Sequence, residues 1–146
     1  MIWDSEIEDQ FGTKQPPRIH SCSADKTLIT WDTTDFSRVR SYKGHTDIVN
    51  SIDCSHKASG FAGTQDLLVS GSDDGTVKLW DVRDTKYAKS FNLGYQVMSV
   101  AFSKLNDIIY LGGLDNTIRA LNLRSNTIEY TLMGHTDTVT GLALSN

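Results

Sequence analysis

The chain has 146 residues, 38% hydrophobic and 22% charged, with 14 basic against 18 acidic side chains and a formal charge of -4. That is one domain's worth of chain with apolar content enough for a core, and its acidity argues against direct duplex binding, which needs a basic face to displace counterions. No apolar run approaches the ~20 residues of a membrane span, the opening Met1-Ile2-Trp3-Asp4-Ser5-Glu6 lacks a signal-peptide core, and Cys22 and Cys54 read as reduced thiols of an intracellular protein.

Ile2-Trp3-Asp4 reads as the end of a third strand from a preceding repeat unit. Trp3 and Trp31 are 28 residues apart, against 41 from Trp80 to Leu121, so about thirteen residues are missing between them. Residues 1–17, with Pro16-Pro17 as a connection, are expected to be a remnant of that unit or a disordered tail. Residues 18–146 form the repeat segment.

The next elements repeat. Ser21-Cys22-Ser23-Ala24-Asp25-Lys26-Thr27-Leu28 matches Ser70-Gly71-Ser72-Asp73-Asp74-Gly75-Thr76-Val77 and Leu111-Gly112-Gly113-Leu114-Asp115-Asn116-Thr117-Ile118. Trp31-Asp32, Trp80-Asp81 and Leu121-Asn122 follow at the same offset. Between them runs a second pattern with apolar residues at Val49, Ile52, Cys54; Val97, Val100, Phe102; and Val139, Leu142, Leu144. Gly44-His45 and Gly134-His135 precede its first and third copies. The segments are short, rich in Val, Ile, Thr and aromatics, and parted by turn residues, so they predict strands. Asp74-Gly75 and Asp115-Asn116 suit hairpins that need positive φ.

The turn aspartates stand 49 and then 41 residues apart, the longer unit carrying a loop around Ser55 to Gln65. A period of ~40–45 residues with these signals is that of a four-stranded propeller blade. The expected fold is an all-β, incomplete β-propeller of about two whole blades plus parts of two others. Its innermost strands are expected near 48–54, 96–102 and 138–144.

These motifs resemble the WD-repeat family, and the resemblance covers nearly the whole chain. In that family a His, a Ser or Thr, an Asp and a Trp form a buried hydrogen-bonded network in each blade. The resemblance assigns one complete set, His45, Ser70, Asp74 and Trp80. The first blade keeps Ser21, Asp25 and Trp31; the third keeps Asp115, with Leu111 and Leu121 implying apolar packing; the last copy keeps His135.

Catalytic readings fail on geometry. His45, Ser70 and Asp74 have the composition of a hydrolase triad, but the strained G-x-S-x-G elbow that exposes a serine nucleophile is absent. His20-x-Cys22 and Cys54-x-His56 offer zinc-type ligands on different strands of different blades, without the short C-x₂₋₄-C loops of structural sites. Asp73-Asp74 lacks EF-hand spacing and reads as a turn aspartate with a solvated neighbour. No cofactor, metal, small-molecule substrate or enzymatic activity is expected.

Binding residues are expected at the rim where the innermost strands start, joined by the residue before each turn aspartate. These are Ile48, Asn50, Asp73, Gln96, Met98, Leu114, Thr138 and Thr140, a mixture that suits a protein partner with a small apolar anchor. Trp80-Asp81-Val82-Arg83 resembles the box of WD-repeat substrate receptors of cullin–RING ubiquitin ligases. A closer resemblance, carried by Tyr95–Phe102, Gly112–Arg119 and Gly134–Leu142, is to the WD-repeat subunits of the spliceosomal U5 small nuclear ribonucleoprotein. It implies a nuclear splicing scaffold that binds the particle's large core protein and meets nucleic acid only through it. A truncated product without its own function is the further alternative.

Overall fold

The computed structural model describes residues 2–3, 7–8, 14–15, 17–55 and 67–145. Its described residues form strands and no helix. Blade one is a four-stranded antiparallel sheet in the order β1 (Ile2–Trp3), β4 (Arg18–Cys22), β5 (Thr27–Asp32), β6 (Arg38–Lys43). A separate two-stranded hairpin, β2 (Ile7–Glu8) with β3 (Lys14–Gln15), interrupts it. Blade two runs in simple succession through β7 (Val49–Cys54), β8 (Leu67–Ser72), β9 (Thr76–Asp81) and β10 (Tyr87–Asn92). Blade three repeats this with β11 (Val97–Phe102), β12 (Ile108–Gly113), β13 (Ile118–Asn122) and β14 (Thr127–Leu132).

Local chemistry sets these hairpins. The turns β4–β5, β8–β9 and β12–β13 each place one residue in the left-handed region: Lys26 at φ 72°, Gly75 at 76° and Asn116 at 66°. In each, the turn aspartate accepts the backbone N–H two residues on, at Thr27, Thr76 and Thr117. Gly and Asn tolerate that φ; Lys does so at a cost. Lys26 also donates from Nζ to the Thr46 carbonyl at 2.9 Å, fastening blade one to the loop entering blade two.

The core lies between the sheets. Leu28 and Tyr42 of blade one pack with Val49, Ile52, Leu68, Trp80 and Val82 of blade two. The opposite face of blade two, with Val69, Val77 and Leu79, packs on Val97, Val100, Phe102, Ile109, Leu111 and Leu121 of blade three. Blade two is therefore covered on both faces, and β8 is buried along almost its whole length. A Cβ on Gly71 would come within 2.5 Å of Val97 and one on Gly112 within 2.8 Å of Val139, so the inner path of the next blade lies directly over these glycines. The outer strands β10 and β14 are mostly exposed.

Two expectations change. The inner strands at 48–54 and 96–102 form as β7 and β11, but 138–144 forms no strand. A strand needs a ladder partner, and no described strand pairs with that segment. It still follows the inner path, since the Val139 N–H donates to the Gly113 carbonyl at 3.3 Å, as the Val49 N–H does to that of Ser23 at 3.2 Å. Ile2–Trp3, read from sequence as a third-strand end, pairs with Ile19 and His20 of β4, the inner place of blade one. The loop expected around Ser55 to Gln65 lies outside the described residues apart from Ser55.

Candidate protein-binding rim and the buried network beneath it

Strand alternation brings Ser70 of β8 and Trp80 of β9 into the seam with blade one, and the Gly44-His45 loop closes over them. The Trp80 indole N–H donates to Ser70 Oγ at 2.8 Å, and Ser70 Oγ lies 2.7 Å from His45 Nε2. His45 Nδ1 is 2.8 Å from Asp74 Oδ2. A carboxylate only accepts, so Nδ1 carries the proton, Nε2 accepts from the serine hydroxyl, and the hydroxyl accepts from the indole. Asp74 is further held by the Thr46 and Thr76 amides and the Thr76 hydroxyl. Burial lowers the His45 pKa against the pull of Asp74, keeping the ring neutral, as this relay requires. Burial pushes the Asp74 carboxyl up, but the donors from Thr76, Thr46 and His45 outweigh it and bring the value to about 2.

Trp80 is fully buried and meets Tyr42 and Tyr87 edge-on, with ring centroids 5.7 and 5.8 Å away. A Cβ at Gly44 would sit 3.2 Å from Trp80 and 3.0 Å from Tyr87, which is why a glycine precedes the histidine. Ser70 has no exposed surface, so its hydroxyl has no access to a substrate.

The expected sets elsewhere are partial. In blade one Trp31 donates to Ser21 Oγ at 2.9 Å, while Asp25 is exposed and caps its own turn through Thr27. In blade three Leu111 and Leu121 are buried in the apolar seam, as their types imply. Asp115 there pairs with Arg119 through both guanidinium nitrogens, and this arginine holds the carboxyl down to about 2. The Arg119 guanidinium also stacks 4.2 Å from the Tyr95 ring centroid. His135 is exposed, and its ring bonds to no described residue.

At the rim, Asn50 Nδ2 donates to Asp73 Oδ1 at 2.7 Å and to the Val97 carbonyl at 3.0 Å, and lies 3.6 Å from Met98 Sδ. The Asp73 N–H donates to the Ile48 carbonyl and the Leu114 N–H to that of Gln96. The structure thus joins Ile48, Asn50, Asp73 and Met98 directly across two blades and sets Gln96 beside Leu114. Ile48 and Leu114 are exposed, Gln96 and Met98 half-buried. Thr138 is half-buried next to the Val139–Gly113 bond; Thr140 is exposed and hydrogen-bonds to none of the others among the described residues.

Three ties were not legible in the sequence. His20 Nδ1, Thr30 Oγ1 and Tyr42 Oη form a buried chain, with steps of 2.8 and 3.2 Å, that ends with the Tyr42 hydroxyl donating to the Val82 carbonyl of blade two at 3.1 Å. His20 is thereby engaged with Thr30, and His56, the other histidine weighed and set aside as a zinc-type ligand, lies outside the described residues. Arg40 donates to the same Val82 carbonyl at 2.9 Å. At the far end of the inner strands Asp53 Oδ2 accepts the Phe102 N–H at 2.6 Å. The one sequence signal was alternation, which puts His20 and Cys22 on one face; the partners come from other blades.

The model of the family described as WD domain, G-beta repeat matches residues 36–81, which span β6 through β9. This is a WD-repeat chain. The WD-repeat chain is 45% identical over 115 residues to the U5 small nuclear ribonucleoprotein 40 kDa protein of Mus musculus, covering 79% of this chain and 30% of that one. It is 34% identical over 122 residues to the pre-mRNA-splicing factor cwf17 of Schizosaccharomyces pombe, covering 84% and 34%. To the U5 small nuclear ribonucleoprotein 40 kDa protein of Dictyostelium discoideum it is 33% identical over 118 residues, covering 80% and 32%. The chain thus spans about a third of the length of these curated relatives.

Proposed function

We propose that this chain is part of a non-catalytic WD-repeat scaffold of the nuclear splicing machinery, which docks the large core protein of the U5 particle through the rim of Ile48, Asn50, Asp73, Gln96, Met98, Leu114, Thr138 and Thr140. The observation that carries the reading is that relatives from mouse, fission yeast and slime mould are all named as U5 or splicing proteins. The rim supports it. Ile48 and Leu114 offer exposed apolar surface, and Asn50 holds Met98 and Asp73 in place, so a partner pays little to order them. With a formal charge of -4, RNA is reached through the partner.

Affinity purification from nuclear extract tests this. The protein carrying this segment is expected to recover the U5 core protein, and the contact is expected to survive nuclease. Met98→Asp is expected to abolish recovery while the circular dichroism spectrum stays unchanged. Retained binding moves the site off this rim. Recovery of a cullin adaptor without splicing proteins replaces the reading with the substrate-receptor one. In the structure, the Arg83 guanidinium of that motif is turned back onto Asp81 by two bonds of 3.0 and 2.8 Å.

A further inference from the structure

Where blade two meets blade three, the rim carries a pair of polar side chains that the blade itself does not need. The repeat sets Asp73 against Ala24 and Leu114, and Asn50 against Met98 and Thr140. All three hairpins cap their turns through the next residue, Asp25, Asp74 or Asp115, whatever stands before it. Among the described blades, the Asp73–Asn50 pair therefore occurs at one junction only.

The donors and acceptors of this pair limit what can dock on it. Asn50 Nδ2 donates to Asp73 Oδ1 at 2.7 Å and to the Val97 carbonyl at 3.0 Å, which uses both N–H bonds of the amide. The Asp73 backbone N–H is taken by the Ile48 carbonyl. What is left is Asn50 Oδ1 and Asp73 Oδ2, and among the described residues neither oxygen accepts a hydrogen bond. Both can only accept, and the carboxylate is charged. Lys26 gives its ammonium to the Thr46 carbonyl and Arg119 its guanidinium to Asp115, so neither answers Asp73. The surroundings are apolar. Ile48 and Leu114 are exposed, and half-buried Met98 sets its Sδ 3.6 Å from Asn50 Nδ2.

We propose that this pair receives an arginine of the partner protein, whose guanidinium donates to Asp73 Oδ2 and Asn50 Oδ1 while its methylene stem lies over Ile48 and Met98. The inference rests on the reading of the rim as a protein-binding surface and adds the chemistry of the partner. An acidic group is repelled here, and a neutral apolar one leaves a half-buried carboxylate oxygen without a donor. Guanidinium is all donor, and its planar fork serves two acceptors on side chains already joined by one bond, where a lysine ammonium is a compact point charge. A long stem that covers apolar surface while its head stays polar suits the flanks.

The test uses the full-length protein carrying this segment and the purified U5 core protein. Asp73→Asn keeps an oxygen for Asn50 and removes only the charge and the free acceptor. It is expected to raise the dissociation constant about tenfold or more, whereas Asp47→Asn, at an exposed carboxylate on the neighbouring loop, is expected to stay within about twofold. Phenylglyoxal labelling read by mass spectrometry then examines the partner. One arginine of the core protein is expected to lose reactivity in the complex and to regain it in the complex formed with Asp73→Asn at saturating concentration. Equal effects of the two aspartate variants overturn the proposal. So do a complex that protects no arginine, protection that persists in Asp73→Asn, and a lysine protected from acetylation in the arginine's place. If Met98→Asp abolishes binding while Asp73→Asn is silent, the arginine alone fails and the rim stands. If Met98→Asp still binds, or the core protein does not bind at all, both fall. Should Asp73→Asn lose its circular dichroism spectrum, Asp73→Leu, with the residue type that Leu114 brings to the matching place, takes over its part in both measurements.

Discussion

Blades two and three have the same strand order and nearly the same register, yet they are held by opposite chemistry. In blade two a polar relay, Trp80 to Ser70 to His45 to Asp74, crosses the sheet beneath its loops. In blade three the Ser and Trp places hold Leu111 and Leu121, both buried in an apolar cluster. Its turn aspartate, Asp115, faces Arg119 near the surface instead of a buried histidine. The blade geometry therefore does not require the relay. What it requires is a filled seam, and a hydrogen-bonded indole or a packed leucine fills it.

The comparison breaks most visibly when either seam is emptied or mismatched. Trp80→Ala is expected to lower stability by about 3–5 kcal/mol in urea unfolding, the range for a buried aromatic truncation. Leu111→Ser, which installs blade two's residue type without its partners, is expected to cost about as much, since a cavity and an unpaired hydroxyl add. If Leu111→Ser is tolerated, blade three has polar groups able to satisfy it and the contrast fails. Ser70→Ala is next. It leaves the indole N–H and the His45 Nε2 unpaired, at about 1–3 kcal/mol per group, measured by the same unfolding. A loss no greater than that of an exposed serine such as Ser125 would show the relay to be incidental.

Acid separates the blades by pH window. The His45 pKa is depressed, so its contribution is complete above the unfolded value of about 6.5 and falls away as pH drops below it. Asp74 and Asp115, both near 2, contribute fully above about 3.9 and lose it towards pH 2. Thermal melts from pH 7 to 5 are expected to fall for the unmodified chain and to flatten in His45→Gln, whereas the loss below pH 4 is expected to persist. A melting temperature that rises on going from pH 7 to 5 contradicts the neutral histidine. The smallest effect is expected at Arg119→Met, which removes the partly exposed pair with Asp115 but keeps the stem over Tyr95. Below about 1 kcal/mol is expected, and a larger loss would mean that blade three also rests on a polar anchor.

Much of this was legible along the chain. His45, Ser70, Asp74 and Trp80 were readable as one network through the resemblance to WD repeats, with the physical sense that a buried indole and imidazole need partners. Leu111 and Leu121 were readable as an apolar replacement for the same reason. Of the rim, the structure shows Asn50 bonded to Asp73 and lying beside Met98. His135 was assigned to a network by motif, but its place in the structure is exposed, because a motif names a residue type and not the sheet it must face.

The sequence by itself determined the repeat, the hairpins and the matching of residues between blades. Those depend on spacing within one strand pair and on turns such as Asp74-Gly75, where local φ and side-chain capping decide the geometry. Only the tertiary structure decided the seams. Tyr42 reaches Val82, Asn50 reaches Val97 and Asp53 reaches Phe102 across 40 to 49 residues of chain. Such contacts exist only once whole sheets have stacked, because the stacking sets which backbone groups of one blade lie opposite the side chains of the next. The same reason left residues 138–144 without a strand. Their alternation is right, but a ladder is a property of two segments, and a pattern in one cannot supply the other.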